Sequence, residues 1–422
     1  MAKGNIIIGL DIGTGTIKAM AAFKPKVKEH SFFSTQRSAR VKEEDLEVLG
    51  IWEEISSGIR KGVVINPSEV AGLIQPIFRK IEKDINKKID STYVSVGGCH
   101  VFCAPSHGLV SVSRADQKIS PEDVERVLQA AQTFSLPSNR QILEVFPREF
   151  IIDGEKGIKE ALGMHGVRLE ADVLVLGGFA PYLKNLTAAV LNSGLHINDL
   201  VFSPVASARA VLTPREKELG VALLDIGAGT TGLSVFEERD LTHVAVFPIG
   251  SGHITNDIAI GLKTDVDIAE RVKLEFGTLS FQGSDKKEKI KISEEETIVF
   301  SRRQLSKIIE SRVSEIFREV AKELKKISKH NLLPGGIVLT GGGAKLPRIK
   351  DLAKKDFRLP CRLGFPQGFS SPQDDPRFAT VCGLVLRGAD LESGKTEWSG
   401  DFSLPRKGIG SKIKKIFRIF IP

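Results

Sequence analysis

The feature that most constrains this chain is a glycine-rich segment that occurs twice, 214 residues apart. Residues 6–16 read IIIGLDIGTGT and residues 221–231 read VALLDIGAGTT, so Asp11 of the first copy corresponds to Asp225 of the second. In each copy an apolar run, a glycine turn and a second apolar run predict strand, turn and strand. A repeated unit of this kind predicts two similar α/β halves that face each other.

The composition is that of a globular protein with more than one domain, since a chain of 422 residues with 41% hydrophobic and 27% charged residues is too long for one core. No apolar run is long enough for a membrane span, and the run before Asp11 is too short for a signal peptide, so we expect a cytoplasmic protein. The spacing of the cysteines predicts reduced thiols without a metal site or a disulfide. They are Cys99, Cys103, Cys361 and Cys382.

The first glycine turn has the residues that a phosphate site needs. Backbone N–H groups at glycines can approach phosphate oxygens closely, threonine hydroxyls add donors, and a lysine can neutralise charge. An aspartate at the end of a strand suits Mg²⁺, which prefers oxygen ligands and keeps much of its water. On its own such a segment is more often only a turn. The candidate ligands here are Asp11, Gly13, Thr14, Gly15, Thr16 and Lys18.

The second copy makes a ligand site the better interpretation, because two glycine hairpins, one from each half, can hold a polyphosphate between them. The alternative is an old duplication in which neither turn binds a ligand. The corresponding candidates are Asp225, Gly227, Gly229, Thr230 and Thr231. The carboxylates of Asp11 and Asp225 are the candidate metal ligands, called the metal-side carboxylates below.

Two further segments fit a nucleotide. The glycines after the apolar run at 335–340 offer a flat backbone surface for an adenine ring, or they are only a turn before a helix. Glu270 and Lys273 share a helix face and could contact ribose and adenine, or they form a solvated ion pair. Gly250 and Lys345 are added as further candidates. The candidate nucleotide contacts in this part of the chain are therefore Gly250, Glu270, Lys273, Gly341, Gly342, Gly343 and Lys345.

These elements, in this order, resemble the actin/Hsp70/hexokinase ATPase superfamily over residues 5 to about 388. Within it the chain is most similar to the FtsA family of bacterial cell-division proteins. The likeness rests on the segment from Leu224 to Thr264, on short strands around one helix at 85–165, on the helix SRRQLSKIIESR (301–312), and on the basic C-terminal segment. It implies an α/β actin-like ATPase fold, with two duplicated α/β domains around a nucleotide cleft and an FtsA-type inserted subdomain.

The resemblance also implies domain boundaries. The expected units are a first core subdomain (1–84 and 166–204), an inserted subdomain (85–165), a second core subdomain (205–232 and 303–388), a smaller subdomain (233–302), a flexible linker (389–410) and a terminal amphipathic helix (411–422).

The function implied by the family is that of an ATP- and Mg²⁺-binding protein that polymerises at the membrane and anchors FtsZ filaments there during septum assembly. The tail of FtsZ would dock on the smaller subdomain of the second half, with Arg302, Arg303 and Arg312 as basic contacts, or these arginines are only an exposed helix face. Ser203-Pro204 stands where Hsp70-like members have Glu-Pro, and a neutral hydroxyl is a poor base, so we expect slow hydrolysis at most. Other divisome proteins are expected partners.

The C-terminal segment reads GSKIKKIFRIFIP, and residues 406–422 hold six cations without an acid, which is most of the formal net charge of +8. A helix starting at Ser411 would place apolar residues in one stripe with cations beside it, which predicts a helix that lies on an anionic membrane surface. A helix docked on the protein body, or one that binds nucleic acid, fits the charge and the apolar stripe less well, and we expect no nucleic acid. The candidate membrane contacts are Lys412, Ile413, Lys415, Ile416, Phe417, Arg418 and Phe420.

The expected place of action is therefore the cytoplasmic face of the cell membrane at midcell, as a peripheral protein. Two rival functions remain open at this point. A small-molecule kinase of the same superfamily would need an aspartate base in the cleft and no membrane helix. A pilus-assembly adaptor would share the two halves and the inserted subdomain, but we do not expect this tail in that family.

Overall fold

The computed structural model describes residues 5–25, 45–133, 136–283, 287–291, 297–329, 332–371 and 373–393. In chain order its strands are β1 (Ile6–Ile12), β2 (Thr16–Phe23), β3 (Glu47–Ile55), β4 (Ile59–Arg60), β5 (Val63–Val64), β6 (Ser91–Val96), β7 (Phe102–Ser111), β8 (Arg140–Ile152), β9 (Glu155–Ile158), β10 (Arg168–Phe179), β11 (His196–Phe202), β12 (Val221–Ile226), β13 (Thr231–Glu237), β14 (Asp240–Phe247), β15 (Lys287–Lys291), β16 (Thr297–Ser301), β17 (Gly336–Thr340) and β18 (Cys361–Leu363). Its α-helices are α1 (Pro67–Ile85), α2 (Pro121–Ala130), α3 (Ala180–Asn192), α4 (Ser203–Val211), α5 (Pro214–Leu219), α6 (Ser251–Leu262), α7 (Val266–Phe276), α8 (Arg302–Lys326), α9 (Ile349–Phe357) and α10 (Ala379–Ser393).

The first core sheet has the strand order β11-β6-β1-β2-β3. The two glycine-linked strands β1 and β2 pair antiparallel, and β1 pairs parallel with β6, so the sheet is mixed. β1 and β2 are almost wholly buried because helices cover the sheet. The predicted strand–turn–strand unit of the first copy is confirmed.

The second core sheet repeats this arrangement, with the order β14-β13-β12-β17-β18. β12 and β13 pair antiparallel across the second glycine turn, and β12 pairs parallel with β17. The whole of β13 and β14 therefore belongs to the core sheet, and the expected start of the smaller subdomain at 233 is wrong. The antiparallel ladder from the pair Thr231 and Phe247 to the pair Glu237 and Asp240 holds these strands in the core sheet, and the smaller subdomain begins with α6.

The inserted subdomain is a separate sheet with the order β7-β10-β8-β9, covered on one face by α2. The expected bounds of 85–165 are wrong at both ends. β6 pairs with β1 of the core sheet, whereas β10 lies in the centre of the inserted sheet between β7 and β8. The unit therefore runs from about β7 to the end of β10. Ser120 caps α2, with Pro121 in the first turn.

The smaller subdomain of the second half consists of α6, α7 and the hairpin of β15 and β16, packed on α8. Its core includes Ile254, Ile258, Val272, Phe300 and Leu305, all buried. The helix that the sequence places at 301–312 is present as the first part of α8, and Ser301 caps its first turn.

Helices α4 and α10 lie together between the two sheets, since α10 packs on α4 and β1 while α4 packs on β12 and β13. α10 continues to Ser393, so the expected linker start at 389 is wrong: Asp390 is buried and pairs with Arg209 of α4 at 2.8 Å. The rest of the expected linker and the terminal helix at 411–422 lie outside the described residues.

Candidate functional site

The first hairpin places a carboxylate and a lysine side by side at the end of the sheet. Asp11 of β1 is paired in register with Lys18 of β2, and the Lys18 Nζ lies 3.8 Å from the Asp11 Oδ2. The hydroxyl of Ser95, on β6, donates to the Asp11 Oδ1 at 2.8 Å and accepts from the Ile12 N–H at 3.1 Å. Asp11 is therefore fixed in orientation by side chains of the two neighbouring strands, β2 and β6.

The tip of the first hairpin is held by the segment that follows β3. Ser56 donates from its N–H to the Gly15 carbonyl at 3.1 Å, and from its hydroxyl to the Gly13 carbonyl at 2.6 Å. The Gly62 N–H donates to the Thr14 hydroxyl at 2.8 Å. Since both glycine carbonyls are satisfied from outside the hairpin, the tip has one defined shape.

The second hairpin presents Asp225 at the corresponding place. Its Oδ2 accepts hydrogen bonds from the hydroxyl of Ser207 on α4 and from that of Thr380 on α10, the latter at 3.0 Å. Burial raises the pKa of Asp225, and the charge of Asp11 raises it further, while these two hydrogen bonds oppose the shift. The two carboxylates are thus close enough to repel each other.

The two hairpin tips touch across the cleft. A Cβ atom at Gly15 would lie 2.8 Å from the Cβ of Ala228, and one at Gly229 would lie 2.6 Å from the Thr14 Oγ1. Only glycine allows this approach at either position. The halves are therefore closed on each other at the hairpins.

Thr231, a candidate phosphate ligand, is placed elsewhere. Its side chain is fully buried, and its hydroxyl donates to the Ile249 carbonyl at 2.8 Å. This candidate is wrong, because β13 turns the side chain into the interior. Thr231 and the backbone around Gly250 instead attach α6 to the second hairpin, where the Ser251 N–H donates to the Gly227 carbonyl at 2.8 Å.

The three glycines after β17 have different roles. Gly341, with a φ of +84°, packs on Asp225, and a Cβ there would lie 2.3 Å from the carboxylate. A Cβ at Gly343 would lie 2.4 Å from the Cγ2 of Ile226. Gly341 and Gly343 are buried and Gly342 is exposed. Of the flat backbone surface expected for adenine, only the part at Gly342 is therefore accessible.

Glu270 and Lys273 form an ion pair of 2.6 Å on α7, but it is not the solvated pair that the sequence allowed. The Lys273 side chain is only 8% exposed, and its Nζ donates to the Thr255 hydroxyl of α6 at 2.8 Å. The lysine therefore joins α7 to α6, and Glu270 is the more accessible member of the pair. Lys345 is exposed and pairs with Asp375 at 2.9 Å.

The three arginines proposed for partner binding all lie on α8. Arg302 and Arg303 are its first two residues, and Arg312 lies further along the same helix. Arg312 makes a two-pronged ion pair with Asp257 of α6, at 2.6 and 2.8 Å, and a third contact with Glu315 at 2.7 Å. The Arg302 Nε lies 3.0 Å from Glu288 of β15. Arg303 also has an interaction partner within the chain. Arg302 and Arg312 therefore already balance acids within the chain.

Four hydroxyl side chains that were not among the candidates from the sequence also contribute to the candidate site. Ser56, Ser95, Ser207 and Thr380 hold the two hairpins and their carboxylates, although none belongs to either glycine motif. Their signal in the sequence is weak, since isolated serines and threonines are common. Ser203 is the first residue of α4, and its hydroxyl lies 3.4 Å from the position that a Cβ atom of Gly97 would take.

The donor set of the site suits a hard cation. Within the described ranges, no group of three or more His, Cys, Asp or Glu side chains could hold a metal by itself. Two carboxylates, one at the strand end of each hairpin, with a raised pKa on Asp225, fit Mg²⁺ that takes its other ligands from water and phosphate. Among the described residues, each helix is too short or too polar to cross a bilayer. The seven candidate membrane residues from Lys412 to Phe420 lie outside this part of the chain.

Comparison with family models gives two matches. The model described as "Cell division protein FtsA" matches residues 222–383, and "SHS2 domain inserted in FTSA" matches residues 98–176. The second range agrees with the bounds that the sheet topology gives the inserted subdomain.

Curated relatives cover nearly the whole chain. "Cell division protein FtsA" of Pseudomonas aeruginosa is 35% identical over 397 residues, covering 93% of this chain and 91% of the relative. The protein of that name from Bacillus subtilis is 32% identical over 415 residues, covering 97% and 89%.

Solved structures show the same fold at low identity. The "PilM-PilN type IV pilus biogenesis complex" gives a TM-score of 0.63 at 18% identity, covering 91% of this chain and 98% of that chain. MreB5 of Spiroplasma citri bound to AMPPNP gives 0.54 at 14% identity, covering 92% and 97%. The expected actin-like α/β fold, with two mixed sheets and an inserted subdomain, is confirmed.

Proposed function

The chain belongs to the FtsA family of cell division proteins, and from this we propose that it binds ATP with Mg²⁺ between its two halves and anchors FtsZ filaments to the cytoplasmic membrane. The observation that carries the nucleotide site is the contact between the two glycine hairpins, with Asp11 and Asp225 at the corresponding strand ends beside them. Structural neighbours bind related ligands, since one MreB5 structure holds AMPPNP and another ADP.

Different residues of the site bind different parts of the Mg²⁺-nucleotide. Backbone N–H groups at the hairpin tips, from Thr14 to Thr16 and from Ala228 to Thr230, donate to phosphate oxygens, and Lys18 neutralises charge. The N–H groups of Gly13 and Gly227 instead close the two turns, onto the carbonyls of Thr16 and Thr230. Asp11 and Asp225 hold the metal and its water, and Mg²⁺ supplies charge that stabilises the polyphosphate. Bound nucleotide then holds the halves closed, because both hairpins contact the same ligand.

Hydrolysis in this site is slow, because the start of α4 carries a neutral hydroxyl. Ser203 is a poor general base at neutral pH, so the attacking water lacks a carboxylate to orient it. Nucleotide therefore acts chiefly as a structural ligand that favours the closed, filament-forming state.

Membrane attachment resides in residues 411–422. Four cations from Lys412 to Arg418 interact with anionic lipid at about 1 kcal/mol each, and Phe417 and Phe420 enter the boundary between headgroups and acyl chains. The acidic tail of FtsZ docks on the smaller subdomain near α8. Filaments of this chain then present many such docking sites at the septum, where other divisome proteins also bind.

Co-sedimentation tests this function. The full chain with ATP and Mg²⁺ is expected to bring FtsZ filaments down with vesicles that contain anionic lipid, and chain 1–405 is expected to leave both in the supernatant. Vesicles of neutral lipid are the control for charge. Equal sedimentation by the two chains contradicts the assignment of the terminal segment.

A further inference from the structure

A short turn before α10 brings Arg377 onto the exposed surface of the glycine loop. The Gly341 N–H donates to the Pro376 carbonyl at 3.1 Å, which ties the turn at Pro376–Phe378 to the loop. A Cβ atom at Gly342 would lie 3.6 Å from the Cγ of Arg377. The apolar stem of Arg377 therefore lies against the one glycine of the loop that is exposed.

Asp375 fixes the direction of this side chain. Its carboxylate accepts from the backbone N–H of Arg377 at 3.0 Å and from the Arg377 Nε at 2.9 Å, and it pairs with Lys345 at 2.9 Å. Burial raises the pKa of Asp375, but the hydrogen bonds from Lys345 and Arg377 outweigh burial and keep the pKa below its usual value. The anchor stays charged, and the terminal nitrogens of the guanidinium are directed away from it.

Those nitrogens reach across to the first half. The Arg377 Nη1 lies 3.5 Å from the Glu53 Oε2, which is long for a charge-assisted hydrogen bond. Glu53 of β3 is paired in register with Lys18, and Lys18 is paired with Asp11. Residues paired in register lie on the same face of a sheet, so Asp11, Lys18 and Glu53 form a row that leads from the metal-side carboxylate to Arg377.

We propose that Arg377 is a further nucleotide-binding residue, which exchanges Glu53 for the phosphate nearest the nucleoside. The inference rests on the proposed function, in which the nucleoside lies at the glycine loop and the outer phosphates at the hairpins. A nucleotide that joins these two places passes over the guanidinium. Arginine binds phosphate in a planar, two-pronged geometry, whereas Glu53 at the same place repels it.

Titration of AMP, ADP and Mg²⁺-ATP into the full chain tests the position of the contact. Arg377→Gln is expected to raise the Kd of all three nucleotides by a similar factor, about tenfold or more, since each contains the innermost phosphate. Glu53→Gln is expected to lower all three Kd values, because it removes the competing anion. Asp375→Asn is expected to act in the same direction as Arg377→Gln, because the guanidinium loses its anchor.

The controls separate this inference from the function on which it rests. Arg114→Gln removes an exposed arginine of the inserted subdomain that pairs with Asp116, and it is expected to leave the three Kd values unchanged. Unchanged affinities in Arg377→Gln and Glu53→Gln overturn the inference alone, and so does a loss confined to ATP, which places the contact at the outer phosphates. A wild-type chain that binds none of the three nucleotides overturns the proposed site itself.

Discussion

Gly383 of α10 packs directly on the backbone of Ala206 in α4, because a Cβ atom at Gly383 would lie 1.8 Å from the Ala206 carbonyl oxygen. No rotation of a side chain relieves such an overlap, since the obstacle is main chain. The close crossing joins the two halves of the molecule, and it lets Ser207 and Thr380 reach the same carboxylate of Asp225.

Gly383→Ala is therefore expected to lower the free energy of unfolding by about 3 kcal/mol or more, because the helices must separate. Urea unfolding measures the change. The matched control is Gly72→Ala in α1, where an added Cβ meets nothing within 4 Å. The control is expected to raise the free energy of unfolding by roughly 0.5–1 kcal/mol through helix propensity. Equal effects of the two substitutions would show that the crossing is not tight.

Asp225→Asn is expected to stabilise the chain that lacks nucleotide. The pKa of Asp225 is raised above its ordinary value of 3.8, so the folded chain holds this proton more tightly than the unfolded chain. The free energy of unfolding of the wild type consequently falls as pH rises from about that value through the raised pKa, and the amide removes this loss. We expect a gain in the free energy of unfolding at pH 7 that shrinks as the pH is lowered towards the ordinary pKa of an aspartate.

The same variant is expected to lose most of the rise in melting temperature that Mg²⁺-ATP gives the wild type, because a metal-side carboxylate is gone. Thermal unfolding with and without Mg²⁺-ATP measures both effects in one series. A variant that is destabilised without ligand, yet keeps the full ligand shift, contradicts the role given to Asp225.

Ser203→Glu is expected to raise the rate of ATP hydrolysis by roughly tenfold or more, since a carboxylate at the start of α4 can orient the attacking water. Phosphate release under saturating Mg²⁺-ATP measures the rate. Ser203→Gln has nearly the same shape without the charge and serves as the control. If the glutamate and glutamine variants have equal rates, the absent carboxylate is not what limits hydrolysis.

Asp257→Ala is expected to strengthen binding of the FtsZ tail peptide by roughly threefold, because Asp257 competes with an acidic partner for Arg312. Fluorescence anisotropy with a labelled peptide measures the affinity. Glu319→Ala removes an acid from the same helix that holds Arg312, but there it pairs with Lys322, and it is expected to have little effect. Weaker binding in Asp257→Ala would place the peptide away from Arg312.

The repeated motif was sufficient to predict the two core sheets, because an apolar run that ends in Asp-Ile-Gly specifies both a buried strand and its turn. The resemblance to the FtsA family, which that motif helped to reveal, is also confirmed by the relatives. Boundaries were less predictable. β6 and β10 both read as buried strands, and only pairing over long sequence distances assigns one to the core and the other to the inserted sheet.

The candidate site could be proposed from the sequence where its residues lie in a local motif. Asp11, Asp225 and the hairpin glycines became candidates because their spacing is local. Ser95 and Thr380 reach the carboxylates from strands and helices far along the chain, so no local pattern marks them. Thr231 was assigned wrongly because the alternation of a strand, and not the motif, decides which way its hydroxyl points.

A crystal structure of the full chain grown with Mg²⁺ and a non-hydrolysable ATP analogue tests the central claim most directly. The account predicts one nucleotide per chain, with its polyphosphate bound by the backbone of both glycine hairpins and its metal beside Asp11 and Asp225. A cleft that stays empty at saturating analogue, or a nucleotide that contacts only one hairpin, would contradict it.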